Sequence, residues 1–149
     1  MTEALFYHLT ESRLEDALPS LLERCIGRGW KVVVQTGSEE RRDALDAHLW
    51  IYRDDSFLAH GLDHEPSASD QPIILTTGVQ NANGASVRFF VDGASSESLD
   101  GYERLIFLFD GHDEMQLDQA RSQWKTAREA GLAATYWQQT ATRGWEKKA

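Results

Sequence analysis

The sequence predicts an α/β protein, a Rossmann-like three-layer sandwich with helices on both faces of a mainly parallel sheet. Apolar runs of strand length alternate with segments of helical spacing through most of the 149 residues, which is typical of parallel strands joined by helices. The runs WKVVVQT, PIILTTG and ERLIFLFDG are apolar without alternation, as strands buried on both faces are. The length is that of one ordinary domain.

The first part of the chain predicts two strands and two helices. ALFYHL is the opening strand, and LPSLLERCIGRG is a helix that tolerates Pro19 in its first turn and ends at Gly29. WKVVVQT is the second strand. GSEERRDALDAHLWIY is the second helix, with two glutamates in its first turn. Its expected buried stripe consists of Ala44, Leu45, Leu49 and Trp50.

A long loop and three further strands are predicted next. Residues 53–71 are rich in Asp, Ser, Gly and Pro, and we expect them to form a loop that holds the apolar pair Phe57 and Leu58. PIILTTG is the third strand. NANGASVRFFVDG contains an Asn-Gly turn signal followed by the fourth strand, and ERLIFLFDG is the fifth.

The last part of the chain predicts one helix and one strand. The helix runs from about Asp113 to Ala130 and ends at Gly131, and LAATYWQQ is the final predicted strand. We expect residues 1–140 to form a single domain. Residues 141–149 contain few apolar side chains and are expected to form a flexible tail.

The charge of the chain is strongly negative and unevenly distributed. The formal net charge is −9, with 9 Lys and Arg against 21 Asp and Glu in residues 1–116, but 6 against 3 in residues 117–149. Nonspecific affinity for nucleic acid comes largely from cations that neutralise phosphates. We therefore expect no strong direct binding to DNA, and the C-terminal part is the exception to the acidic character.

Targeting signals and disulfides are not expected. No apolar run approaches the roughly 20 residues that cross a bilayer, and the start MTEALFYHLTESRLED has no basic and apolar signal-peptide pattern. These features predict a cytoplasmic protein without a membrane partner. Cys25 is the one cysteine and occupies a helical-core position, which favours a buried thiol over a nucleophile.

Residues that could carry chemistry form no recognised motif. After the second strand, QTGSEE offers one glycine and two acids where a phosphate needs open backbone amides. His60 and His64 are four residues apart, but they lie in the predicted loop, so we interpret them as solvated surface histidines. Asp110, Asp113 and Glu114 follow a strand end where α/β enzymes often hold magnesium, although helix capping explains the last two.

We therefore predict a protein that is not an enzyme and that needs no cofactor or metal. The alternative is a nucleotide-dependent or magnesium-dependent α/β enzyme that uses Asp110 and the Gly37-Ser38 turn at the C-terminal edge of the sheet. The two classes differ in their ligands, since only the enzyme requires a nucleotide or Mg²⁺.

The last predicted helix, ARSQWKTAREAG, presents three cations beside an indole. At about 100° per residue, Arg121, Lys125 and Arg128 share one stripe, Trp124 lies next to it, and the small residues face the sheet. Cations beside an aromatic wall suit a ligand with carboxylates next to an apolar side chain. The macrodipole also favours cations near a helix C-terminus, and a boundary tryptophan is often part of the core.

These segments together resemble the chi subunit of bacterial DNA polymerase III, an accessory of the clamp loader. The resemblance spans nearly the whole chain through FYHL, LLERCIGRGWKVVV, LWIYRDDSFLAHGL, QPIILTTG and ARSQWKTAREAG. It implies a Rossmann-like fold without enzymatic activity, and a role as an adaptor in DNA replication.

The resemblance also implies two partners. The first is the acidic C-terminal tail of single-stranded DNA-binding protein, which ends in a phenylalanine with a free carboxylate. Its expected binding residues are Arg121, Trp124, Lys125 and Arg128, whereas Leu117 stands where a lysine can be found. The second partner is psi, a small protein that links chi to the clamp-loader ATPases. The resemblance places Phe57 at the psi surface, with Trp50 and Leu58 as neighbours.

Overall fold

The computed structural model describes residues 2–51, 59–95 and 101–149. Within these residues the elements are, in chain order, β1 (Glu3–Leu9), α1 (Leu14–Gly27), β2 (Val32–Gln35), α2 (Glu39–Ile51), β3 (His60–Leu62), β4 (Ile73–Thr76), β5 (Val87–Phe90), β6 (Arg104–Asp110), α3 (Glu114–Glu129), β7 (Ala133–Gln139) and β8 (Trp145–Lys147). None of the helices in the described ranges combines the length and apolar character that a bilayer span requires.

The predicted α/β sandwich is confirmed. The strands form one sheet in the order β3-β4-β2-β5-β6-β1-β7-β8, and every neighbouring pair is parallel except the antiparallel pair of β7 and β8. Strand β1 therefore lies between β6 and β7. This position matters because α3 connects those two strands and crosses over β1.

Alternate residues of the strands point to opposite faces of the sheet and pack into a separate hydrophobic core on each face. Helices α1 and α2 pack on the face that carries Val32, Val34 and Leu108. Helix α3 packs on the other face, against Phe6 and Phe107, whose rings stack with centroids 4.4 Å apart. The burial of apolar surface from both sides is the main force that holds the three layers together.

The helix ends agree well with the sequence patterns, but the start of α1 does not. Gly29 and Gly131 follow α1 and α3 with positive φ values of 79° and 78°, as residues after a helix C-terminus commonly do. Helix α1 begins at Leu14, earlier than predicted, so Pro19 lies in its interior rather than its first turn. Pro19 is buried, and packing against the core offsets the hydrogen bond that a proline cannot donate.

Two of the four residues in the predicted buried stripe of α2 are exposed. Leu45 and Leu49 are buried, but Ala44 is exposed and the Trp50 side chain is 50% exposed. Arg42 is buried in their place, with its guanidinium 3.1 Å from Asp43 and 3.9 Å from Asp63. The face of α2 that contacts the sheet is therefore rotated from the predicted one, because a paired arginine can bury its aliphatic stem.

The predicted loop of residues 53–71 contains the unpredicted strand β3, which pairs in parallel with β4. His60 lies on this strand and is 3% exposed, so its interpretation as a solvated surface histidine is wrong. Its Nε2 atom lies 3.0 Å from Asp46 Oδ1 on α2, a polar partner that burial requires. His64 is exposed, as predicted.

The chain after β7 is also more ordered than the sequence predicts. Residues 145–147 form β8, which pairs with β7 through Trp137 and Lys147, and through Gln139 and Trp145. Trp145 packs edge-on against Tyr7, with ring centroids 4.8 Å apart. A strand paired with β7 and one aromatic contact thus lie within residues 141–149, the segment that we expected to be a flexible tail.

Candidate functional site

Helix α3 is positioned by a cap at one end and small residues along its length. Asp113 is the N-cap, and its carboxylate accepts hydrogen bonds from the backbone N–H groups of Met115 and Gln116. Ala120 and Ala127 are buried against the sheet, as the helical wheel predicts. Small side chains let the helix axis approach the sheet closely, which fixes where the neighbouring side chains emerge.

A cavity of about 430 Å³ opens between α3 and the strands β1, β6 and β7. We call it the α3 pocket, and its lining residues are His8, Phe109, Leu117, Ala120, Arg121, Trp124, Tyr136 and Ala149. Arg121 is the one cation among them, and the rest of the lining is largely apolar or aromatic. An apolar cavity with a charged group at its edge suits an apolar side chain that carries an anionic group nearby.

The side of the α3 pocket that the sheet provides is formed by three aromatic groups on neighbouring strands. His8 stacks on Phe109 with ring centroids 5.1 Å apart, and the Nδ1 atom of His8 lies 2.6 Å from the Tyr136 hydroxyl. Burial lowers the pKa of His8 from its ordinary value, as does the nearby His112, while Asp110 opposes the decrease. His8 is thus held toward its neutral form, and burial raises the pKa of Tyr136.

Trp124 belongs both to the core and to the α3 pocket. Its ring packs edge-on against Phe6 at 5.2 Å and against Tyr136 at 6.1 Å, and the residue is half-buried. The remaining surface of the indole lines the pocket. The two interpretations of this tryptophan that the sequence left open are therefore compatible.

The three predicted cations lie on the same helix, but only Arg121 lines the α3 pocket. Arg121 Nη1 lies 2.9 Å from Asp118 Oδ1, in a pair whose side chains are 74% and 76% exposed, so this contact competes only weakly with an anionic ligand. Arg128 is exposed and its guanidinium lies 5.7 Å from the centroid of the Trp124 ring. Lys125 is exposed as well. We call Arg121, Lys125 and Arg128 the cationic stripe.

Sequence reasoning missed the residues that the sheet contributes to the pocket. His8, Phe109 and Tyr136 were assigned only to predicted strands, and the parallel pairing of β1 with both β6 and β7 brings them together. His8 and Phe109 lie next to the C-terminal ends of their strands, the edge where ligands bind in open α/β sheets, and Tyr136 lies in the middle of β7. That rule was the available signal, but the strand order needed to apply it cannot be read from the sequence.

The second predicted surface is described only in part. Trp50 is half exposed and Ile51 is 76% exposed. The centroids of the Trp50 and His60 rings are 4.4 Å apart. Phe57 and Leu58 lie outside the described residues. The end of α2 thus presents two large apolar side chains, a feature that marks interaction sites when it extends over a contiguous patch.

The residues of the alternative enzyme are separated on the sheet. Gly37 and Ser38 follow β2, whereas Asp110 ends β6, and β5 lies between those strands, so the groups are roughly 10 Å apart at the usual strand spacing. Ser38 Oγ accepts a hydrogen bond from the Arg41 N–H, and Asp110 Oδ1 accepts one from the His112 N–H. Gly37 is explained by the close approach of the Asp92 carbonyl, without a phosphate.

The loop after β1 has its backbone amides occupied by a side chain. Gln139 Oε1 accepts hydrogen bonds from the N–H groups of Thr10, Glu11 and Ser12 at 3.3, 2.9 and 2.9 Å. In nucleotide-binding α/β proteins the corresponding amides face phosphate oxygens. Here a glutamine from the end of β7 takes that place, which disfavours a nucleotide at this loop.

Neither the Cys25 thiol nor the His, Asp and Glu side chains of the described residues form a reactive or metal-binding site. Cys25 is 4% exposed, and burial raises the pKa of its thiol to about 11, so the predicted buried thiol is confirmed and remains protonated. In the ranges that the structure covers, no three His, Cys, Asp or Glu side chains come together in a group that could hold a metal ion.

Comparison with known proteins identifies the family. The family model described as "DNA polymerase III chi subunit, HolC" matches residues 1–135, which include all of α3. The chain belongs to the chi family. A curated relative, "Probable DNA polymerase III subunit chi" of Rickettsia prowazekii (strain Madrid E), is 27% identical over 117 residues that cover 74% of this chain and 71% of that protein.

Membership of the chi family gives the chain an accessory role in DNA replication, in association with the DNA polymerase III clamp-loader complex. The resemblance that the sequence motifs carry is thereby confirmed.

Proposed function

We propose that the chain is a non-catalytic adaptor whose α3 pocket binds the acidic C-terminal tail of single-stranded DNA-binding protein. The observation that carries the proposal is the α3 pocket itself, an apolar cavity with Arg121 at its edge and Lys125 and Arg128 nearby on the same helix. A terminal phenylalanine ring would enter the cavity beside Trp124. Its carboxylate and the preceding aspartates would meet the cationic stripe.

The expected affinity is modest. A short peptide with one aromatic anchor and a few screened charges gives a micromolar Kd, about −8 kcal/mol. Leu117 lines the pocket, so this position contributes apolar surface instead of the positive charge that a lysine there would provide.

Titration calorimetry with the tail peptide tests the proposal. Arg121→Gln, Lys125→Ala and Arg128→Ala should each weaken binding by about 1 to 2 kcal/mol through loss of a charge-assisted contact, and added salt should weaken it further. Arg13→Ala is the matched control, since Arg13 is also exposed and loosely paired but is the N-cap residue of α1, away from α3. Affinity that is indifferent to salt and to all three variants would contradict the proposal.

Asp118→Asn provides a test with the opposite sign. The carboxylate of Asp118 holds Arg121 at 2.9 Å and adds a negative charge beside the pocket. Its removal should therefore strengthen binding of the acidic peptide, by up to about 1 kcal/mol for an exposed pair. Amidation of the peptide's terminal carboxylate should reduce this gain if Arg121 meets that group.

We further propose that the chain joins the clamp loader through psi or an equivalent subunit. What supports this is the pair of exposed apolar side chains at the end of α2, Trp50 and Ile51, which precede Phe57 and Leu58 in the sequence. Alanine substitutions at Trp50, Phe57 and Leu58 should reduce co-purification with clamp-loader subunits and leave tail-peptide affinity unchanged. Retained co-purification in all three variants would argue against this surface.

A further inference from the structure

A second cavity, of about 360 Å³, lies on the face of the sheet opposite the α3 pocket. Its lining includes three arginines, Arg24 and Arg28 at the C-terminal end of α1 and Arg104 at the start of β6, together with Tyr7 and Trp30. We call these five residues the arginine cleft. None of them belongs to the α3 pocket or to the surface at the end of α2.

The guanidinium groups of the arginine cleft are gathered around aromatic rings. Arg104 Cζ lies 4.0 Å from the centroid of the Trp30 ring, and Arg28 Cζ lies 5.1 Å from it. Burial raises the pKa of Tyr7, and the positive charges of Arg24 and Arg28 oppose this rise. The three cations therefore converge on one space instead of pointing into separate regions of solvent.

Much of this positive charge is available to a ligand. In the parts of the chain that the structure describes, Arg24 and Arg28 form no ion pair. Arg104 lies 3.5 Å from Glu3 and 3.8 Å from Glu103, and Glu3 also lines the cavity. Three guanidinium groups and the two carboxylates of Glu3 and Glu103 leave a positive site on a chain of net charge −9.

Further aromatic rings continue from the cleft along the sheet. Trp137 is paired with Tyr7 in the register of β1 and β7, and their ring centroids are 6.4 Å apart. Trp145 on β8 meets Tyr7 edge-on at 4.8 Å. Tyr7, Trp30, Trp137 and Trp145 are all half-buried, so each keeps part of its surface accessible.

We propose that the arginine cleft binds single-stranded nucleic acid. Guanidinium groups pair with phosphates in a bidentate manner, and unpaired bases stack on aromatic rings and on arginine planes, including rings displayed on the face of a sheet. An acidic peptide end would need an apolar cavity such as the α3 pocket, whereas the lining of this second cavity contains four charged residues, the three arginines and Glu3. Charge complementarity and the run of aromatic rings together favour the polynucleotide.

The acidic character of the chain limits this affinity and dictates the conditions of the test. Fluorescence anisotropy of a labelled thymidine oligonucleotide of about eight nucleotides is measured from about 10 mM salt upward, where screening is weak. Contacts with three phosphates predict that log Kobs falls with log salt with a slope of about −2. A shallow slope that none of the arginine substitutions changes would overturn the proposal.

Arg24→Gln and Arg28→Gln should each weaken oligonucleotide binding about 3- to 10-fold and make the salt slope shallower by about 0.7, as the loss of one phosphate contact requires. Arg28→Lys should keep the slope but lose affinity, because an ammonium group cannot stack. Arg13→Gln, on the opposite end of α1, is the control and should match the wild type. These exposed positions can be changed without disturbing the core.

Three further outcomes would overturn the proposal. One is the absence of oligonucleotide binding at the lowest salt. Another is binding that Arg121→Gln weakens and Arg28→Gln does not, which would move the contact to the cationic stripe. The third is an acidic peptide whose affinity depends on Arg24 and Arg28 while the oligonucleotide's does not. The first two outcomes leave the peptide titration of the α3 pocket unaffected, so the two proposals fail separately, whereas the third would also count against the α3 pocket as the peptide site.

Discussion

At the scale of single residues, the α3 pocket depends on how closely Gly111 approaches β1. Gly111 N donates a hydrogen bond to the Leu9 carbonyl at 2.8 Å, and a Cβ atom at this position would lie 2.6 Å from the same carbonyl and in contact with the His8 ring. This close approach keeps the His8 ring in place between Phe109 and Tyr136. A single methyl group there would displace a residue that lines the pocket.

Gly111→Ala should therefore lower the free energy of unfolding by about 1 to 3 kcal/mol, as overpacking against rigid neighbours does. Chemical denaturation measures this change, and the affinity for the tail peptide should fall in parallel. Gly27→Ala is the control, because a Cβ at Gly27 meets nothing within 4 Å and alanine favours the helix by about 0.5 to 1 kcal/mol. Equal stability of the two variants would contradict the packing argument.

At the scale of elements, α3 provides both the pocket wall and the cationic stripe, so its start and its register determine the geometry of the site. The capping interaction of Asp113 satisfies two of the N–H groups that a helix leaves without intrahelical partners. Ala120 and Ala127 set the register by facing the sheet. The orientation of Arg121 and Trp124 follows from that register.

Asp113→Ala should cost about 1 kcal/mol of stability, the usual loss for an N-cap carboxylate. Thermal or chemical denaturation measures the cost. Asp118→Ala serves as the matched acidic control on the same helix, since its side chain is 76% exposed, and it should change stability by less than about 0.5 kcal/mol. A comparable loss in both variants would show that negative charge, not capping, is responsible.

At the scale of the whole molecule, Gln139 joins the end of β7 to the loop that follows β1. Its side chain accepts three backbone hydrogen bonds from residues 10–12 and donates one to the Ser12 hydroxyl at 2.9 Å. These groups are more than 120 positions apart in the chain. The contact holds the end of β7 against the loop after β1 and stabilises the edge of the sheet beside the α3 pocket.

Gln139→Ala should lower the free energy of unfolding by about 2 kcal/mol, because it leaves several backbone N–H groups without their acceptor. Amide hydrogen exchange at residues 10–12 should accelerate at the same time. Gln138→Ala, its neighbour on β7, is the control and should change neither quantity appreciably. Unchanged exchange at residues 10–12 in Gln139→Ala would show that water replaces the glutamine without cost.

The outcome of the sequence predictions follows the range of the interactions involved. Buried strands such as β2 and β6 and the two ends of α3 were predictable, because apolar runs, capping residues and glycines act over a few neighbouring positions. The short strands β3 and β8 were missed. His60 and Trp145 belong to them, and both are held by partners from distant segments, Asp46 and Tyr7.

The sequence by itself determined the α/β class, the family and the stripe of cations on α3, since each is encoded in local spacing and residue type. Only the tertiary structure decided that Arg121 meets His8, Phe109 and Tyr136 around one cavity, and that Arg24 and Arg28 meet Arg104 around another. The physical reason is that strand order and the faces of the sheet on which α1 and α3 pack are set by burial summed over the whole sheet. No local pattern carries that sum.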